Sequence, residues 1–256
     1  MYDINKLIPL RQFNLLLELL PSPKAKKTGR PKCEKEALLK GILQVLILDV
    51  PWKKIYPCGA SASSCHRYFT EVQRRGNLHL IFTCLSNRKT NIEECALDTD
   101  TINSFRFKSL TGWDGKHKKI GTKVSLLADK NGLPVDVEFG KGNKHDLKFV
   151  DKHLQNTTGT RKNILNLDKG YTSAGLRRSL RSSGTYVNME MRQGDYKRKK
   201  GPKFKFKQDK YKVRFMVERC FAWLENFRRI RLRREYKITM FKAFVYLALI
   251  IILIRN

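Results

Sequence analysis

Residues 119–140 read KIGTKVSLLADKNGLPVDVEFG, two strand-like runs meeting at Asn131-Gly132. Asn-Gly between apolar runs is a strong hairpin signal, because a tight hairpin turn needs positive φ at its central residues. Upstream, CALDTDTI (95–102) alternates like a third strand. Downstream, residues 145–153 have helical spacing, and NILNLD (163–168) reads as a short buried strand ending in an acid. Residues 172–183 predict another helix and TYVNME (185–190) another strand. A polar, Lys-rich connection covers 194–212, a long helix about 209–230 and a last helix about 238–254. Three antiparallel strands, helix, strand, helix, strand, helices is an α/β or α+β order with a mixed sheet flanked by helices.

The sequence before this block is helical in pattern. Residues 5–20 and 34–48 carry apolar residues at helical spacing, separated by the basic stretch PSPKAKKTGRPK (21–32). Pro51-Trp52 ends the second helix, Ser61 or Ser63 can cap a third over about 62–75, and a short helix is predicted near 78–85. The predicted organisation is a small helical domain over 1–90 and a mixed-sheet domain over 91–256. Helix, turn and a basic-aromatic helix (His66, Arg67, Tyr68, Arg74, Arg75) suit a helix-turn-helix reader of DNA. They equally suit an oligomerisation bundle with a solvated basic face.

The chain has 256 residues, 53 Lys+Arg against 23 Asp+Glu and a formal charge of +30. At 41% hydrophobic it can build a core, which excludes a disordered basic tail. A charge this large repels itself in the compact state, so a polyanionic partner is expected, nucleic acid before an anionic membrane surface. The six cysteines match no common zinc spacing and read as reduced thiols in a cytosolic protein. The start of the chain has no signal-peptide pattern. The apolar run Ala243–Ile254 falls short of the about 20 residues that span a bilayer. It is therefore expected to be a core helix, and the protein cytoplasmic.

In so basic a chain the acids are informative. Asp98 and Asp100 share a face of the first strand, and Asp168 ends the fourth, where chemistry collects in open α/β sheets. On the long helix Val213, Met216, Val217, Cys220, Phe221, Leu224 and Phe227 form an apolar stripe. Tyr211, Arg214, Glu218 and Glu225 line its edge. Two strand aspartates and one helix glutamate could converge on Mg²⁺, which takes hard oxygen ligands. The bland reading fits these residues as well: Glu218 pairs with Arg214 or Arg219, Asp168 caps a helix, and Asp98 meets a lysine.

With these residues in view, the chain resembles insertion-sequence transposases of the IS-five family, within the DDE transposases. GRPK (29–32), LLKGILQVL (38–46) and Pro51-Trp52 are similar to that family's helical N-terminal domain. LDTDTI (97–102), the hairpin followed by His145-Asp146, LDKGYTS (167–173) and VERCFAWLENFRRI (217–230) follow in the family's order. The resemblance implies an RNase H-like core with Asp98, Asp168 and Glu218 as catalytic, metal-holding acids. The implied cofactor is Mg²⁺, or Mn²⁺ in its place. Related transposases show Y-x2-R-x3-E-x6-K. Tyr211, Arg214 and Glu218 match, while the lysine position holds Glu225, so a phosphate contact there falls to Asn226, Arg228 or Arg229.

The implied function is binding of terminal inverted repeats, cleavage of the element's ends and joining of the 3′-hydroxyl to target DNA. The implied partners are double-stranded DNA and further copies of the chain, a homodimer or higher oligomer, with no membrane. The expected DNA-binding residues are Arg30, Lys32, Arg67, Arg74, Arg75, Tyr211, Arg214, Arg228 and Arg229. YKRKKGPKFKFK (196–207) suits a phosphate-tracking segment with stacking aromatics, or a solvated loop. His145-Asp146 suits either a substrate-steering pair or a helix cap. A non-catalytic DNA-binding protein or repressor derived from such an enzyme is the alternative, and a nuclease without strand transfer a third.

Overall fold

The structure, a computed structural model, describes residues 7–23, 32–157, 164–190 and 206–255. Along the chain run helices α1 (Leu10–Leu19), α2 (Lys35–Leu48), α3 (Ala62–Arg74) and α4 (Asn77–Lys89). Strands β1 (Glu94–Ser104), β2 (Gly112–Asp114), β3 (Lys119–Asp129) and β4 (Pro134–Lys141) follow, then α5 (Leu147–Asn156). After these come β5 (Ile164–Leu167), α6 (Ala174–Ser182) and β6 (Tyr186–Met189). The chain closes with α7 (Gln208–Tyr211), α8 (Arg214–Glu225), α9 (Arg228–Arg231), β7 (Leu232–Arg233) and α10 (Ile238–Arg255).

Two compact units form. One comprises Met1–Leu85, Asn103–Ser109 and Trp223–Asn256; the other comprises Ser86–Ile102 and Leu110–Ala222. The expected boundary near residue 90 is therefore only part of the division, because the last helix joins the N-terminal helices. Its apolar side chains supply the reason: Phe244 stacks on Phe69 with ring centroids 4.6 Å apart and lies 6.1 Å from Trp52. Tyr246 meets Phe82 at 5.8 Å. The helix has 18 residues and mean hydropathy 2.2, long and apolar enough to cross a bilayer by length and composition, yet most of it is buried within this unit. Leu249 is 0% exposed. Leu249→Asp is expected to destabilise the protein by more than about 4 kcal/mol, because a charge is buried without a partner. The check is a denaturant melt of the soluble fraction; a variant as stable as its parent would remove α10 from the core.

Ser61 caps α3 as expected, its hydroxyl accepting from the Ser64 amide at 3.2 Å. The second unit is built on a mixed sheet of order β2-β3-β1-β5-β6, with β4 also on β3. β3 and β4 are the expected antiparallel hairpin, Val124 opposite Phe139 and Leu126 opposite Val137. β1, β5 and β6 are parallel, in register Leu97↔Leu167↔Met189. A mixed sheet of this order, flanked by helices, is RNase H-like. β1 and β3 approach closely at Gly121, where any Cβ would lie 2.2 Å from the Ile102 carbonyl oxygen. Leu97, Leu127, Leu165, Leu167, Val187 and Met189 are central to the core.

Register in the parallel strands is reinforced from inside. Asn188 donates to the Asn166 carbonyl oxygen at 2.8 Å, and Asn166 donates to the Cys95 backbone carbonyl at 3.3 Å. Asn188 also clamps the backbone of Lys207, donating to its carbonyl and accepting from its amide, both at 2.9 Å. That clamp sets where α7 and α8 begin. The predicted helix over 209–230 is divided in three. Three-residue turns, Val213 to Lys210 and Phe215 to Lys212, tighten its first break, and extended backbone at Phe227 makes the second. β2 escaped sequence reading because three residues are too few to show a period.

Candidate active site

Strand pairing aligns two of the expected acids. Since Leu97 is paired with Leu167, the next residues are neighbours: Asp98, midway along β1, and Asp168, just past the carboxyl end of β5. Each is oriented by the amide that follows it. Asp98 accepts from the Thr99 amide at 2.8 Å, and Asp168 accepts from the Lys169 amide at 2.8 Å, capping a one-turn helix over Lys169–Tyr171. Burial pushes the Asp98 carboxyl up from its ordinary value. The Thr99 amide and the Arg214 guanidinium oppose that rise, and the negative Asp168 adds to it. Asp100 faces Lys119 at 3.4 Å instead.

Glu218 arrives from α8, whose placement has three supports. Lys207 is clamped by Asn188, Lys210 meets Glu94 at 2.6 Å, and Arg219 donates to the Asn131 carbonyl of the hairpin turn. The Glu218 side chain is 49% exposed and pairs with Arg214 at 2.9 Å. Arg214 Nε lies 3.9 Å from Asp168 Oδ1 and is buried without a hydrogen-bond partner of its own. Burial works against the Arg214 charge, but Asp168, Tyr211, Glu218 and Asp98 together push its pKa further up. Arg214 is thus the cation of the acidic centre. Tyr211 is half-buried, its hydroxyl pKa raised chiefly by burial, and its ring meets Phe206 edge-on at 4.9 Å.

The fit to a divalent ion rests on this donor set. Asp98 and Asp168 offer hard carboxylate oxygens, and the raised Asp98 pKa is that of a desolvated carboxylate short of positive charge. Among the described residues no three Asp, Glu, His or Cys groups stand close enough to hold a metal as placed. Glu218 is instead bonded to Arg214. The chemistry of the two carboxylates suits a divalent cation.

An open groove of about 770 Å³ is lined by Asp168, Lys169, Lys116, Lys123, Lys144 and His145, among others. Sequence reasoning did not single out these lysines; a lone lysine in a basic chain carries no local signal. His145-Asp146 acts otherwise than as a simple cap. His145 Nδ1 accepts from the Leu147 amide at 3.3 Å, while Asp146 takes the nearly buried Lys123 ammonium at 2.7 Å. Tyr171 is 2% exposed, and burial holds its hydroxyl pKa well up.

The remaining expected contacts separate. Arg30, GRP of the arm (29–31) and residues 196–205 of the basic segment lie outside the described residues. In the helical unit Lys32 and Arg67 are exposed and line one groove of about 490 Å³. Arg74 and Arg228 are exposed, whereas Arg75 is half-buried against Glu71. Arg229 is corrected from a DNA contact to a structural cation. It is 7% exposed and holds Asp49 at 2.9 Å and Glu235 at 2.7 Å, which leaves no guanidinium edge for a phosphate.

The sequence model of a family described as transposase DDE domain matches residues 89–253. A candidate transposase for insertion sequence element IS402 from Burkholderia cepacia is 29% identical over 136 residues, covering 50% of this chain. The match spans 60% of that relative's length. A solved structure of the piggyBac transposase synaptic complex with hairpin DNA matches with TM-score 0.43 and 14% identity, covering 75% of this chain and 48% of that one.

Proposed function

The chain belongs to the transposase DDE domain family, and from that membership and the site geometry we propose that it cuts DNA at an insertion sequence's ends and joins the freed 3′-hydroxyl to target DNA. The observation that carries the reading is the pairing of β1 with β5 that sets Asp98 next to Asp168, with Asp168 lining a groove that holds several lysines and Arg214 3.9 Å from Asp168. Asp98, Asp168 and Glu218 would hold Mg²⁺, or Mn²⁺ in its place. Two such ions, when bound, activate a water or 3′-hydroxyl and stabilise the leaving oxygen of a phosphodiester. The Thr99 and Lys169 amides fix the two aspartates, so their orientation is set before substrate arrives. Arg214, half-buried beside Asp168 and Glu218, would be free to turn to a phosphate once metal takes over their charge.

The helical unit is assigned recognition of the terminal inverted repeats, through Lys32, Arg67 and Arg74 with the basic arm. Binding should weaken steeply with salt, each neutralised phosphate contributing about −0.9 to the log–log slope. Acting on two ends calls for a dimer or larger assembly on the DNA, and the reading puts the chain in the cytoplasm.

The test incubates the full chain with Mg²⁺ and duplexes carrying the element's ends, and resolves nicked and joined products. Cleavage without joined product would reduce the reading to a nuclease. A repressor is the second reading, favoured by the engagement of Glu218 with Arg214. Glu218→Gln separates these readings. Its ion pair is half-exposed, so stability should change by less than about 1 kcal/mol. Cleavage should collapse while DNA binding persists. A stable variant that cuts at the parental rate would remove Glu218 from the site.

A further inference from the structure

The turn joining β2 to β3, Gly115–Lys118 of the GKHKK sequence, is shaped from within by one buried carboxylate. Asp114 is 3% exposed. It accepts from Thr101 Oγ1 at 2.5 Å, from the Lys116 amide at 2.9 Å and from the His117 amide at 3.2 Å. His117 Nδ1 closes on it at 3.0 Å. These bonds outweigh the cost of burial and hold the Asp114 pKa below the ordinary carboxylate range. Lys118 takes φ 51°, the left-handed region that costs a residue with a Cβ.

A turn that buries a fully bonded carboxylate and strains a lysine is held in one shape, and that shape presents Lys116 and Lys118 outward, both exposed. Lys116 lines the same groove as Asp168, Lys169 and Lys144. It is also one of the two cations that favour the charged form of Asp98. Catalytic carboxylates on one wall of a groove repel a phosphodiester; fixed ammonium groups on another wall offset that repulsion.

We propose that the β2–β3 turn is a phosphate clamp for the DNA lying in this groove, with Lys116 contacting the backbone beside the aspartates. The proposal rests on the transposase reading of the groove. Asp114 is the positioning group, and Lys116 is the contact.

The experiment measures binding of the full chain to a short fluorescent duplex, without divalent metal, across a salt series. The unaltered chain is compared with Lys116→Ala, Lys116→Arg and Lys130→Ala; Lys130 is exposed at the opposite end of β3. Lys116→Ala should lower the log–log salt slope by about 0.9, the loss of one phosphate contact, and weaken binding several-fold at low salt. Lys116→Arg should keep the parental slope, and Lys130→Ala should leave it unchanged. If Lys116→Ala and Lys130→Ala have equal effects, the attraction is diffuse and the clamp is overturned. If the unaltered chain binds and cuts DNA while Lys116→Ala keeps its slope, only the clamp fails. If the unaltered chain neither binds nor cuts, the transposase reading fails and the clamp with it.

Discussion

Asp98→Asn should lower metal-dependent cleavage of end-containing DNA by at least about 10³-fold, roughly 4 kcal/mol of barrier, while DNA binding persists. The amide keeps the volume of the carboxylate and can still accept from the Thr99 amide, but carries no charge for a divalent ion. The fold should not suffer. Burial raises the Asp98 pKa, so the ionised carboxylate is disfavoured in the folded state. A neutral side chain removes that cost, and the melting temperature should hold or rise. Cleavage and melting are therefore to be read on one preparation. A variant that melts early and cuts in proportion to its folded fraction would make Asp98 a structural residue. One that is stable and cuts at the parental rate would end its catalytic assignment.

Arg229→Ala should cost about 3–5 kcal/mol of stability, because removing one partner of a buried ion pair leaves the others uncompensated. Asp49 and Glu235 both lose their cation, and Asp49 keeps only Arg234, at 2.8 Å. Asp49 also ends α2 in the left-handed region at φ 59°, so the network pins a strained cap. A pH series adds a sign. Burial is the main cause of the raised Glu235 pKa, and Arg229 is what pulls it back. Without Arg229 that pKa rises further, and the folded variant takes up a proton more readily than its unfolded chain. The deficit should then shrink as pH falls. Arg228→Ala, one residue away and exposed, should change stability by less than about 0.5 kcal/mol. Denaturant melts of both variants check this; equal losses would mean that burial of Arg229 is not what matters.

The site was partly legible because some of its signals are local. Asp98 lies within an alternating run that reads as a strand, and Asp168 ends another. Glu218 sits at the border of an apolar helical stripe whose Val217, Cys220 and Leu224 are indeed buried. The lysines of the groove were not legible. Lys116 and Lys123 are ordinary in a chain with 53 Lys+Arg, and only the fold brings them into one groove with Asp168. Arg229 was read as a phosphate contact because a basic run looks solvated; its two acidic partners, Asp49 and Glu235, come from separate stretches of chain.

The sequence by itself determined what depends on neighbours within a few residues. These are the Asn131-Gly132 hairpin, the Ser61 cap, the helices at 35–48 and 62–74, and the burial of the apolar run at 243–254. Backbone preference and hydrophobic period act at that range, so local pattern suffices. The tertiary structure alone decided that Leu97 pairs with Leu167 and so brings two distant aspartates together. It decided too that α10 packs with the N-terminal helices, and that the predicted long helix breaks at residues 212–213 and 226–227. Each of these depends on contacts between segments far apart in the chain. Their worth is set by the surface they bury together, which no single segment carries.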